Sequence, residues 1–119
     1  MSDFKKMHVG KRLGNAFSGL SEGFKQELSL RLQFLVGIIV IFGAFYFGFT
    51  RIEWLILLLT ISAVIFGELL NTAIEELCDL YSLDHNSKIK KIKDISAGFV
   101  LVVSISSLII GFILFWPYF

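Results

Sequence analysis

Four polar side chains, spaced three or four residues apart, stand in one segment that is otherwise apolar. On a helix turning about 100° per residue, Glu68, Asn71, Glu75 and Asp79 share an arc of about 80° on one face. Glu76 falls outside this arc, and we expect it to be solvated. Carboxylate and amide oxygens are the ligands that a hard cation such as Mg²⁺ prefers. This face could therefore hold a cation together with a bound phosphate.

The composition places this polar face in a membrane protein. The chain has 119 residues, of which 55% are hydrophobic and 18% charged, and its mean hydropathy is +0.77. Soluble domains carry about 25% charged residues, and crossing a bilayer takes about 20 apolar residues. Three stretches without charge meet or approach that length: 32–50, 54–67 and 95–119. A soluble, disordered or nucleic-acid-binding protein is excluded, and an all-α membrane protein is predicted.

One membrane-embedded domain is expected over 1–119. Apolar residues recur every three or four positions from Val9 to Phe24, which predicts an amphipathic helix at the membrane interface over about 9–26. Glycines in the first span suit close helix packing. The three membrane helices are predicted at about 30–49, 54–80 and 95–117.

Lysine and arginine predict the orientation of these spans. Six precede the first span, one lies between the first and second, four lie between the second and third, and none follows the third. Because positive charge accumulates on the cytoplasmic side, the N-terminus and the second loop should face the cytoplasm and the C-terminus the outside.

The orientation orders the acids of the second span by depth. Glu75 should lie about 10 Å nearer the cytoplasm than Glu68. An acid near the membrane core costs several kcal/mol unless it is paired or hydrated, so Glu68 predicts a polar cleft inside the bundle. The shallower acid could hold a cation with phosphate, while the deeper one meets a group presented from the lipid.

Two further pairs of residues could serve a phosphate site. Glu27 and Arg31 are four apart on the helix that enters the first span, at the depth of Glu75. Lys93 and Asp94 directly precede the third apolar run. We expect them at a helix N-terminus, where backbone N–H groups favour anions.

These segments resemble a known family, the small prokaryotic lipid kinases that comprise diacylglycerol kinase and undecaprenol kinase. The segment Glu68-Leu-Leu-Asn71-Thr-Ala-Ile-Glu75-Glu-Leu-Cys-Asp79 is similar to the family signature on the second membrane helix. Lys93-Asp94-Ile-Ser-Ala-Gly98 resembles the opening of the third. Asn15-Ala-Phe-Ser-Gly19-Leu, and Glu27 followed by Arg31, resemble the N-terminal part. The resemblance covers essentially the whole chain.

The resemblance implies phosphoryl transfer from MgATP to the hydroxyl of a lipid alcohol, in a homotrimer in the inner membrane of a prokaryote. Glu68 would be the general base, and Glu27 and Glu75 would bind Mg²⁺. The residues implied to bind ATP are Asn15, Glu27, Asn71, Glu75, Asp79, Asp84, His85, Lys93 and Asp94. Those implied to bind substrate or order the site are Arg31, Glu68 and Asn71.

Two other hypotheses remain open at this point. An oligomer could align Glu68 and Glu75 to conduct protons or cations, and a small structural subunit would need no acids in a span. Lys93 and Asp94 favour the kinase, because a conduit has little use for an anion site. The pattern Glu27-x-x-x-Arg31-x-Gln33 favours undecaprenol as acceptor, with diacylglycerol a close second.

Overall fold

The chain folds into four long helices in this computed structural model, which describes residues 2–81 and 86–119, with side chains from His8 onward. Helix α1 spans Ser2–Gln26, α2 Leu28–Phe47, α3 Arg51–Tyr81 and α4 Ser87–Phe115, and a 3-10 turn follows at Trp116–Tyr118. These described residues contain no strand. Asp84 and His85, two of the expected ATP-binding residues, lie outside them.

Three of the helices are long and apolar enough to cross a membrane. They are α2, α3 and the stretch Ser87–Tyr118, with 20, 31 and 32 residues. Since about 20 residues span the hydrocarbon, α3 and α4 are long enough to project beyond it. The predicted fold class, an all-α membrane protein with three spans, is confirmed.

Helices α1 and α4 continue past the segments from which their limits were predicted. Helix α4 begins at Ser87, eight residues before the predicted third span, and α1 begins at Ser2, seven residues before the predicted interfacial helix. The Asn86 side chain caps α4 by accepting a hydrogen bond from the Lys88 N–H at 2.9 Å. Lysine is a good helix former in water, so the lysine-rich segment before the apolar run can be helical. Hydropathy therefore marks where α4 enters the hydrocarbon, and the helix itself starts earlier.

Local hydrogen bonds define the connection between α2 and α3. Gly48 adopts a left-handed conformation with φ of 69°, and the Phe49 N–H reaches back to the Ala44 carbonyl at 3.0 Å, which ends α2. Thr50 and Glu53 then form a reciprocal cap, each side chain accepting from the other's N–H at 3.2 and 2.9 Å. Gly48 therefore serves the turn, and not the helix packing predicted for the glycines of the first span.

Other glycines let the helices approach closely. A Cβ added at Gly67 would lie 2.9 Å from a methyl carbon of Val103, so α4 sits against α3 directly beside Glu68. A Cβ at Gly37 would lie 3.3 Å from Ile61, and Gly43 meets α4 in a similar way. The glycines of α2 thus mediate contacts within one chain.

Aromatic rings close the end of the bundle opposite α1. The ring of Phe49 stacks on Tyr118 with centroids 5.4 Å apart, and it lies 4.8 Å from Phe115 and 6.2 Å from Trp54. The Tyr118 hydroxyl donates to Glu53 Oε1 at 2.6 Å. This hydrogen bond joins the end of the chain to the start of α3.

Helix α1 meets the bundle at its last turn. Glu27 separates α1 from α2 with an extended backbone, at φ −109° and ψ 112°. A Cβ at Gly23 would lie 3.2 Å from Leu30 and 3.3 Å from Leu69, so this turn packs on both α2 and α3. The apolar side chains that recur from Val9 to Phe24 are 39–71% exposed. Such a stripe suits an interfacial helix, and the location of α1 at the membrane surface stays a prediction.

Candidate active site

Helix α3 is unbroken from Arg51 to Tyr81, so its polar residues lie on one face as their spacing predicts. Glu68 is 7% exposed, whereas Glu76, off that face, is exposed. From Trp54, α3 rises about 21 Å to Glu68 and about 32 Å to Glu75, against a hydrocarbon thickness of about 30 Å. On this scale Glu68 lies within the depth of a bilayer and Glu75 at its edge.

Three carboxylates gather at the α1 end of the bundle. Glu27, in the link between α1 and α2, and Glu75 both lie close enough to Glu68 for their charges to interact with it. The Glu27 side chain makes no capping hydrogen bond to α2. Like charges repel one another, so a bound cation would stabilise this group.

Arg31 binds backbone carbonyls at the end of α1. The Arg31 guanidinium donates to the carbonyls of Phe24 and Lys25 at 3.3 and 2.8 Å, where it caps the end of α1. The expectation that Glu27 and Arg31 share a helix face is wrong, because α2 begins at Leu28 and Glu27 is extended. Arg31 thus orders the junction that carries Glu27.

A chain of hydrogen bonds links α4 to the acid face of α3, which is the face that carries Glu68, Asn71, Glu75 and Asp79. The Ser96 hydroxyl donates to Asn71 Oδ1 at 2.6 Å, and Asn71 Nδ2 donates to Glu75 Oε1 at 3.3 Å. Ser96 is 1% exposed. Ser96 was not among the predicted site residues, although its position one helical turn after Lys93 was a usable signal.

Lys93 and Asp94 do not lie at the N-terminus of α4, where they were expected. Because α4 begins at Ser87, these residues belong to its second turn, and their placement at the helix N-terminus was wrong. The Lys93 ammonium instead pairs with Asp79 at 2.6 Å, which joins α4 to α3. Asp94 pairs with Lys90 of its own helix at 2.8 Å. Of the two, Lys93 is the residue that the structure brings to the acid face.

Asn15 is exposed on α1, apart from the carboxylates. Twelve residues separate it from Glu27, which at the rise of an α-helix corresponds to about 18 Å. The structure therefore does not bring Asn15 of one chain to the acids of the same chain.

Beyond Glu68, towards the aromatic end, the space between the three spans is apolar. A cavity of about 290 Å³ opens there, and α3 contributes Leu57, Ile61 and Val64 to its lining. Glu68 thus marks the boundary between a polar half and an apolar half of the bundle.

The chemistry of the acid group fits a divalent cation that is held partly by another ligand. Among residues 2–81 and 86–119, no group of three or more His, Cys, Asp or Glu is arranged to hold a metal ion. Mg²⁺ keeps several waters and is usually bound through one or two carboxylates plus phosphate oxygens. Glu27 and Glu75 would be two such carboxylates.

Comparison with known proteins identifies the family. A family model described as prokaryotic diacylglycerol kinase matches residues 14–115. This chain belongs to that family. The undecaprenol kinase of Bacillus subtilis is 35% identical over 107 residues, which cover 90% of this chain and 87% of the relative. Diacylglycerol kinases of Synechocystis and Haemophilus influenzae are 35% and 29% identical over 103 and 102 residues, covering 86% and 85% of this chain and 59% and 86% of theirs.

Family membership confirms the resemblance and the predicted enzyme class, a membrane-bound lipid kinase. The matched segment contains the expected site residues from Asn15 to Asp94. A kinase of this class needs a lipid acceptor and a phosphoryl donor, with a divalent metal implied. Membership in a kinase family favours catalysis over the ion conduit and over the structural subunit.

The two lysine–aspartate pairs predict different effects on the phosphoryl donor. Lys93→Met should raise the KM for the donor by about tenfold, because it removes the ammonium held at the acid face. Lys90→Met, whose ammonium pairs within α4, should change that KM by less than about twofold. Steady-state kinetics at varied donor concentration measure both values, and circular-dichroism melting checks folding, since exposed ion pairs contribute little to stability. Similar KM changes in the two variants would mean that these lysines act only through diffuse positive potential.

Proposed function

We propose that this protein transfers the γ-phosphate of MgATP to the hydroxyl of a membrane lipid alcohol, with undecaprenol the favoured acceptor and diacylglycerol a close second. The observation that carries the proposal is the position of Glu68, a buried carboxylate within bilayer depth with two more carboxylates nearby. The relative named undecaprenol kinase matches along nearly its whole length and supports this choice of acceptor.

Glu68 acts as the general base in this proposal. It lies where the apolar half of the bundle ends, which is where the hydroxyl of a lipid alcohol would meet a polar group. Its carboxylate accepts the hydroxyl proton while the oxygen forms a bond to the γ-phosphorus. The bond from that phosphorus to the bridging oxygen breaks, and ADP leaves.

Glu27 and Glu75 would hold Mg²⁺ in this proposal. Bound there, Mg²⁺ would supply positive charge that offsets the charge of the ATP phosphates. Asn71 and Asp79 order the acid face, and Lys93 adds a cationic group to the phosphate site. Phosphoryl transfer depends mainly on such charge and on alignment of the attacking oxygen, and these side chains supply both.

The remaining ATP-binding residues of the proposal are Asn15 of α1, Asp94 of α4, and Asp84 and His85 of the sequence between α3 and α4. The same proposal sets the N-terminus and the second loop in the cytoplasm, where ATP is available, with α1 at the inner membrane surface and the C-terminus outside. The basic residues before the first span and in the second loop support this orientation.

A homotrimer with shared sites completes the proposal. Asn15 lies about 18 Å from Glu27 along its own chain, so it can join the acids only if they belong to a neighbouring subunit. A neighbouring subunit would also shield the acids of α3 from lipid, where an exposed carboxylate is costly.

A kinase assay with purified protein tests the proposal. Radiolabelled ATP, Mg²⁺ and a panel of lipid alcohols should yield label in the organic phase, with undecaprenol the best acceptor. Glu68→Gln and Glu75→Gln should each lose at least about 99% of turnover, because one removes the base and the other a metal ligand. Glu76→Gln, next to Glu75 but off the acid face, should keep most of the activity. Absence of label in every lipid, or an active Glu68→Gln enzyme, would contradict the proposal.

Mixed assembly tests the shared site. Asn15→Leu and Glu75→Gln proteins, each inactive alone, should regain activity when they are unfolded and reassembled together, because some mixed sites are intact on both sides. Reassembling Glu75→Gln protein with itself is the matched control and should stay inactive. If crosslinking shows mixed trimers and they stay inactive at every ratio, the site lies within one chain.

A further inference from the structure

We propose that Ser96 is a positioning residue, which acts through the Asn71 amide to set the orientation of the Glu75 carboxylate. The proposal rests on the function proposed above, in which Glu75 binds the divalent cation. It concerns how a residue of α4 sets the orientation of that carboxylate when no ligand is bound.

The Ser96 hydroxyl differs from the other bonded serine and threonine hydroxyls of the membrane helices. A helical serine or threonine commonly satisfies its hydroxyl on a carbonyl of the preceding turn. Among the described residues of these helices, three side chains do so, with bonds of 2.7–2.9 Å: Thr60, Thr72 and Ser107. Ser96 donates instead across to α3, at 2.6 Å, from a site that is 1% exposed.

This donation, together with the Glu75 carboxylate, sets which way the Asn71 amide points. A side-chain amide has an acceptor and a donor end, and a rotation about its last bond exchanges them. The hydroxyl of Ser96 occupies the Oδ1 end, so the Nδ2 end faces Glu75 and donates to Oε1 at 3.3 Å. In the reversed orientation the amide oxygen would face a carboxylate oxygen, which is repulsive.

Glu75 gains a defined orientation from this arrangement. One of its oxygens is engaged by Asn71, which leaves the other free for a cation. The Asn71 amide, itself held by Ser96, thus orients the proposed metal ligand. Ligands whose orientation is set by neighbouring hydrogen bonds bind metal more tightly than unsupported ones.

The first test observes the Asn71 amide directly and needs neither metal nor activity. The chain has three asparagines, Asn15, Asn71 and Asn86, so selective ¹⁵N-asparagine labelling gives three side-chain NH₂ signals in detergent micelles. An Asn71→Gln variant assigns the signal of interest. Ser96→Ala should shift or broaden it, whereas Ser107→Ala, the same substitution on the same helix, should leave it unchanged. An unshifted Asn71 signal in folded Ser96→Ala protein would overturn the proposal.

The second test measures the Mg²⁺ concentration that gives half-maximal kinase activity. Ser96→Ala should raise it about 5- to 10-fold, the worth of one hydrogen bond, while kcat at saturating Mg²⁺ changes by less than about threefold. Ser107→Ala should match the wild type. A folded Ser96→Ala enzyme with wild-type Mg²⁺ dependence would overturn the positioning role. If the wild type phosphorylates no lipid, the proposed function fails while the amide signal still tests the link between Ser96 and Asn71.

Discussion

A carboxylate within the hydrocarbon depth of a membrane is the constraint on which the rest of this structure depends. An unpaired acid at that depth is costly, so the chain must surround it. Glu68 is 7% exposed, and the glycine before it lets Val103 of α4 approach within van der Waals contact. The link between α1 and α2 brings the charge of Glu27 within electrostatic range of Glu68. The helices are thus arranged around a charge that a purely structural membrane protein would avoid.

Different contacts hold the helices together at the two ends of the bundle. At the α1 end, α4 is joined to α3 through Ser96 and Asn71 and through Lys93 and Asp79. At the other end, aromatic packing around Phe49 and the bond from Tyr118 to Glu53 hold the same two helices. Contacts at two levels fix the register of α3 against α4, and phosphoryl transfer requires such fixed geometry because it depends on alignment.

Much of the acid face could be predicted because helix geometry converts spacing into position. The separation of Glu68, Asn71, Glu75 and Asp79 is enough to place them together on any continuous helix. The partners of this face were harder to predict. Ser96 reaches Asn71 over 25 positions in the chain, and that contact depends on how closely two helices pack, which spacing does not encode.

The residues at which the helices begin were also difficult to predict from the sequence, for a physical reason. Hydropathy reports the edge of the hydrocarbon, whereas capping and helix propensity decide where a helix starts. Lys93 was therefore expected at the first turn of α4, although Asn86 caps the helix well before it. Glu27 was assigned to a helix because its spacing from Arg31 suits one, but its backbone is extended and separates α1 from α2.

Direct measurement of metal binding is the sharpest test of whether Glu75 binds the divalent cation and Glu68 does not. Mn²⁺ replaces Mg²⁺ as an electron paramagnetic resonance probe, and its free signal is recorded as protein and a non-hydrolysable ATP analogue are added. The account predicts that Glu75→Gln loses at least about tenfold in Mn²⁺ affinity, while Glu68→Gln and Glu76→Gln bind as the wild type does. Equal loss of binding in Glu68→Gln and Glu75→Gln, or wild-type binding in Glu75→Gln, would contradict it.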